Sequence, residues 1–191
     1  MSNAPKLGRQ AIYADLEALP EGVKGEILDG VLYTQPRPRF RHGRAAGTIF
    51  RALGAYDSEG PRDPGPGGWW LIIEPGVELP NSPEVAPDVA GWRRERFTPP
   101  GPDEPIRVVP DWVCEVLSRS NRAYDRRTKF PYYARVGVRH LWVVDPEART
   151  VEVKKLVDTR WTDVATFAQD DVMSAEPFEA CAIALAAIWV P

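Results

Sequence analysis

Asp111-Trp-Val-Cys-Glu-Val-Leu-Ser118 is apolar through its middle except for one carboxylate. Side chains alternate along a strand, so Val113, Glu115 and Leu117 share one face while Trp112, Cys114 and Val116 share the other. A run apolar on both faces belongs to a central strand covered on both sides. A bare carboxylate there is costly unless a cation or hydrogen-bond donors meet it. A metal site at the strand end is the leading reason for keeping it.

Downstream, residues 122–136 have helical spacing and Arg139-His-Leu-Trp-Val-Val-Asp145 reads as another apolar strand. A strand, a helix and a strand at this spacing form a β-α-β unit of a partly parallel sheet. Pro131 is predicted to kink or split the helix. Residues 150–156 and 161–167 read as a meander, and residues 178–189 as a closing helix. Upstream, residues 11–19 read as a short helix stopped by Pro20. Asp29-Gly30, between two apolar runs, predicts a hairpin over residues 24–34. A helix follows over residues 41–59, with Ile49, Phe50 and Leu53 facing inward. Residues 60–68 read as a loop, 69–79 as a strand or two strands broken at Pro75-Gly76, and 84–92 as a strand interrupted by Pro87. The expected architecture is α/β or α+β, a central mixed β-sheet flanked by helices with an N-terminal hairpin.

Length and composition agree with one ordinary globular domain over residues 1–191. Hydrophobic content of 43% and charged content of 27% argue against disordered and fibrous classes. The first ten residues lack the apolar centre of a secretion signal, and the apolar run 180–190 is too short to cross a bilayer. The two cysteines, Cys114 and Cys181, have no metal-type spacing. A cytoplasmic protein with reduced thiols and no membrane partner is expected. Net charge is −3, yet half of the 24 basic residues lie in segments 37–44, 93–96 and 119–129. Local positive potential can therefore coexist with an acidic total, although solvated charge without a ligand explains such segments equally well.

Asp111 lies four strand residues from Glu115, about 13 Å at roughly 3.3 Å per residue, too far to share an ion. Asp88, on another strand, can lie beside Glu115 if the two strands pair. Paired carboxylates repel, so one is protonated or a divalent cation holds both. Oxygen ligands without His or Cys clusters point to magnesium, with manganese able to replace it. The plain alternative for Asp88 is a turn or capping aspartate. Lys129 follows Asp125 by four residues, so an exposed i,i+4 ion pair and an ammonium turned over the strand end are equally open.

Gly25-Glu-Ile-Leu-Asp-Gly30, Ala86-Pro-Asp-Val89, residues 110–118, Lys129-Phe-Pro-Tyr-Tyr-Ala-Arg-Val-Gly-Val138 and Leu141-Trp-Val-Val-Asp-Pro146 occur in this order. Together they resemble the Uma-two family, a branch of the restriction-endonuclease-like PD-(D/E)XK superfamily, over residues 13–157. The resemblance implies a restriction-endonuclease-like core and magnesium-dependent hydrolysis of nucleic-acid phosphodiester bonds, with DNA the favoured substrate. It implies that Asp88 and Glu115 are the motif acids and that Lys129 replaces the usual lysine two residues after the glutamate, where this chain has Leu117. Val116 would add its carbonyl to the metal site. Glu26 and His42 fall where the family shows a glutamate and a histidine, the former near the ion and the latter at a phosphate or in a structural role. Arg41, Arg44, Arg119, Arg122 and Arg126 would grip phosphates. Ser118-Arg119-Ser120-Asn121 departs from the family's usual Ser-Pro-Ser-Thr, and Pro131 interrupts a helix that usually lacks it.

Trp92, beside Arg93 and Arg94, is a candidate for stacking a base. Cys114 points away from Glu115 and is a poor nucleophile. Two competing expectations remain: a nucleic-acid-binding or regulatory protein without catalysis on the same fold, and a metal-free paired-carboxylate hydrolase. A homodimer would suit two-strand cleavage.

Overall fold

In the computed structural model, residues 9–59 and 65–189 are described. In chain order the elements are α1 (Tyr13–Glu17), β1 (Val23–Leu28), β2 (Val31–Pro36), α2 (Phe40–Ala52), β3 (Trp69–Ile73), β4 (Val77–Leu79), β5 (Ser82–Val85), β6 (Val89–Arg93) and β7 (Trp112–Val116). There follow α3 (Arg122–Tyr124), a π-turn (Asp125–Lys129), α4 (Phe130–Val136), β8 (His140–Asp145), β9 (Thr150–Val157), β10 (Arg160–Ala168), β11 (Val172–Met173) and β12 (Ile183–Ala184).

A six-stranded sheet, ordered β10-β9-β8-β7-β6-β3, forms the centre. Its one parallel pair is β7 with β8, because the intervening helix returns the chain to the same edge; its other pairs are antiparallel. The sheet is therefore mixed, and β7 is fully buried. On one face Trp112, Cys114 and Val116 join Ala45 and Ile49 of α2, Leu53 just after it, and the C-terminal Phe178 and Leu185. On the other, Val113 and Leu117 pack with Phe130, Tyr132 and Tyr133 of the helix and with Leu28, Val77 and Val85 of a second sheet. That second sheet is four-stranded, β2-β1-β5-β4. Its hairpin turns at Asp29 and Gly30, whose φ values of 50° and 74° are the left-handed pair that a tight two-residue hairpin requires.

Several expectations change. Residues 84–92 are two strands in different sheets, since β5 pairs with β1 and β4 while β6 pairs with β3 and β7. Pro87 has no N–H to continue a ladder, and the chain crosses between sheets there. The helix expected over 41–59 ends at Ala52 and tightens into a 3₁₀ turn over Gly54–Tyr56. The closing helix over 178–189 is replaced by β12 and a 3₁₀ turn over Leu185–Ala187. Its buried residues Phe178, Ile183, Leu185 and Ile188 follow the sheet surface rather than a 3.6-residue period, and an apolar run alone does not tell these cases apart. Residues 60–64 of the expected loop, the N-terminal residues 1–8 and the end of the 180–190 run lie outside the described residues. No helix among the described residues is long and apolar enough to cross a membrane.

Candidate active site

The crossing between sheets brings the acids together. Val89 pairs with Cys114 in the β6–β7 register, so Asp88, one residue earlier, falls opposite Glu115. The Val116 N–H donates to Asp88 Oδ2 at 2.7 Å, and His42 Nε2 of α2 lies 3.1 Å from the same oxygen. Glu26 arrives from β1 in the other sheet, with one oxygen 3.4 Å from the Ala86 amide. His42 thus holds Asp88 directly.

Lys129 ends the π-turn and is 2% exposed, and Asp125 is 1% exposed. The exposed ion pair considered for them does not form. The widened turn lies just before Pro131, which has no N–H to give to a regular helix, and it keeps both side chains facing the strands. Lys129 Nζ lies 3.0 Å from Glu115 Oε1 and 3.3 Å from Glu26 Oε2, and it donates to the Ala86 carbonyl at 2.9 Å. One turn on, the Tyr133 hydroxyl donates to Glu115 Oε1 at 2.6 Å. Tyr133 and Asp125 were not anticipated as site residues. The spacing 125, 129, 133 marks one helical stripe, and that stripe connects them.

Four carboxyl groups therefore meet one ammonium and one imidazole. Burial pushes Glu115 well above the usual carboxylate range, and nearby Asp88, Asp125 and Glu26 add to this against the opposing pull of Lys129. Burial also raises Asp125, to about 7. Asp88 behaves oppositely: burial would raise it, but the His42 hydrogen bond and charge, Lys129 and the Val116 amide together hold it below its ordinary value. Burial would lower His42, and Asp88 more than offsets this, so His42 is raised. Lys129 is raised despite burial because Glu115, Glu26, Asp125 and Asp88 surround it. The two acids of the pair are thus shifted in opposite directions, Asp88 down and Glu115 up.

Glu26, His42, Asp88, Glu115 and Lys129 line a cavity of about 720 Å³ that also reaches Ser118, Asn121 and Glu147, whereas Asp125 lies outside its lining. Glu26 Oε1 is buried there with no hydrogen-bond partner of good geometry among the described residues, although the Tyr124 hydroxyl lies near Glu26; a cation or water would offset the cost. Among the described residues no three His, Cys, Asp or Glu side chains converge closely enough to hold an ion by themselves. The donors still suit magnesium, which keeps several waters and takes one or two carboxylates together with substrate phosphate. They do not suit a closed, zinc-like cage.

The arginines divide. Arg37, Arg39 and Arg41 line the cavity and are exposed, so they form its rim. Arg119 also reaches the lining but pairs with Glu147. Arg122 pairs with Asp145 at 2.6 Å and Arg126 with Glu152; neither of these, nor Arg44, lines the cavity. Arg96 pairs with buried Asp111 at 3.0 Å, and Arg94 stacks 3.4 Å from the Trp70 ring centroid. Asp111 thus pins the start of β7 instead of binding at the site. Trp92 is fully buried and donates to the Val108 carbonyl at 2.8 Å, so it cannot stack a base. Cys114 and Cys181 are free, and Cys114 lies on the sheet face opposite Glu115.

A family model described as "Putative restriction endonuclease", Uma2, matches residues 13–187. A solved structure described as a "putative nuclease belonging to DUF820", from Anabaena variabilis, superposes with a TM-score of 0.71. It has 17% sequence identity, and the match covers 94% of this chain and 98% of that one. At that identity the likeness concerns the fold. No curated protein matches the chain.

Proposed function

The chain belongs to the Uma2 family, and from that membership and the buried acid–lysine cluster we propose that it is a metal-dependent endonuclease hydrolysing phosphodiester bonds, with DNA as substrate. The single observation that carries this reading is Lys129 Nζ at 3.0 Å from Glu115 Oε1. It supports a role for Lys129 in place of the lysine that Leu117 does not supply.

Asp88 and Glu115, with the Val116 carbonyl, would hold one magnesium or manganese ion, which when bound supplies Lewis-acid polarisation of the scissile phosphate. Asp88 is kept ionised by His42 and the Val116 amide, ready to accept a cation. Both acids must be ionised to hold the ion, and Glu115 is the one raised by burial, so divalent binding is expected to weaken as pH falls. The Lys129 ammonium, set between Glu115 and Glu26, positions a water or neutralises charge that develops on the phosphoryl oxygens. Tyr133 fixes the Glu115 oxygen that faces Lys129. Glu26 would take part in the ion's surroundings through water. Arg37, Arg39 and Arg41 at the rim meet the substrate backbone without reading its bases.

Nicking of supercoiled plasmid tests this. It is expected with magnesium, absent with chelator, and reduced to background in Glu115→Ala and Asp88→Asn. Equal nicking by those variants would refute the assignment. Plasmid binding without nicking by the native chain would favour the non-catalytic reading.

A further inference from the structure

The most exposed large apolar side chain among the described residues is Phe40, at 76%. It is the first residue of α2 and falls in sequence between Arg39 and Arg41, which line the cavity with Arg37, while its own ring stands just outside that lining. Arg37 and Arg39 form no ion pair or hydrogen bond among the described residues, in contrast to the paired arginines after β7. An exposed aromatic ring among three exposed guanidinium groups combines the two parts of a single-strand binding surface, a π face for a base and cations for its phosphates.

The depth of the site points to the same substrate. Glu115 and Lys129 are 2% exposed and lie at the floor of the cavity. A duplex is stiff and presents its phosphates on a convex surface, so bringing one to that floor requires deformation. An unpaired strand can bend a phosphate inward while the neighbouring base rests outside. We propose that Phe40 stacks an unpaired base at the cavity mouth, so that the site takes single-stranded or locally unpaired nucleic acid in preference to intact duplex. This rests on the nuclease reading for the identity of the substrate, and its test is a binding measurement that needs no cleavage.

The probes are a fluorescently labelled single-stranded 12-nucleotide DNA, the same backbone with abasic positions, and the matching duplex, titrated in chelator. The native chain is expected to bind the single strand more tightly than the duplex. Phe40→Ala should weaken single-strand binding about 5- to 150-fold, leave abasic-strand binding unchanged and keep the native melting temperature. Phe40→Trp should restore the affinity. Failure of the native chain to prefer the single strand would overturn the inference, as would equal losses by Phe40→Ala on the normal and abasic strands, or no loss on either. A Phe40 effect of the expected size in a chain that never nicks DNA would leave this inference standing and refute the nuclease reading instead.

Discussion

Two donors converge on Glu115 Oε1, the Tyr133 hydroxyl at 2.6 Å and the Lys129 ammonium at 3.0 Å. Burial of the acid is tolerated because both meet the same oxygen. Asp125 is differently placed. Among the described residues its Oδ2 is buried without a hydrogen-bond partner, and burial pushes its carboxyl up to about 7 from an ordinary value of 3.8. When ionised it adds negative charge to a site already crowded with acids. Between those two pH values the unfolded chain releases a proton that the folded chain retains, so the fold loses stability as pH rises through the window, and the loss is complete above about 7. Asp125→Asn removes the titration. Its melting temperature in chelator should exceed that of the native chain at pH 8, with the gain shrinking through pH 6 and vanishing near pH 4. A gain that does not change with pH would show that Asp125 is not the titrating group.

At the level of elements, the site depends on how closely β6 lies between β3 and β7. Gly91 pairs with Leu71 on one side and Trp112 on the other. A Cβ there would stand 2.9 Å from a Leu71 methyl and 3.2 Å from the Trp112 and Trp69 rings. The Leu71 methyl can swing aside, but the two tryptophan rings would have to give by a few tenths of an ångström, and Asp88 enters the site just before β6. Gly91→Ala should therefore cost about 1–3 kcal/mol of stability, measured by urea denaturation, and should reduce nicking as well. Native-like stability would mean that the rings give way without moving the strands. The π-turn matters in the same way, since it carries Asp125 and Lys129 inward while Pro131 sits in the first turn of α4.

For the molecule as a whole, an ion that binds the folded chain alone adds stability in proportion to its occupancy. Magnesium at about 100 times its dissociation constant should add about 2.7 kcal/mol, a rise of roughly 5–10 °C in melting temperature for a domain of this size. Glu115→Ala should lose the rise. A rise that survives in that variant would place the ion elsewhere. The binding surface is also a property of the whole molecule. The total charge is −3, but three of the five basic groups at 119–129 are neutralised by Glu147, Asp145 and Glu152, and the exposed rim arginines from residue 37 to 41 form the cationic approach to the cavity.

The central strands and the hairpin could be read from the chain because apolar alternation and the Asp29-Gly30 pair are local signals. The same is true of the β-α-β unit and of the opposite faces taken by Cys114 and Glu115. Asp88, Glu115 and Lys129 were nominated from the burial cost of one carboxylate and from the resemblance of ordered motifs. Partnership was decided only by tertiary structure. Whether an arginine is free or paired depends on acids 20 to 30 residues away, so the segments at 37–44 and 119–129 look alike in sequence and differ in the fold. The transfer of the chain from one sheet to the other at Pro87, the inward turn of Asp125 and the role of Tyr133 arise from long-range packing, which a local pattern does not encode.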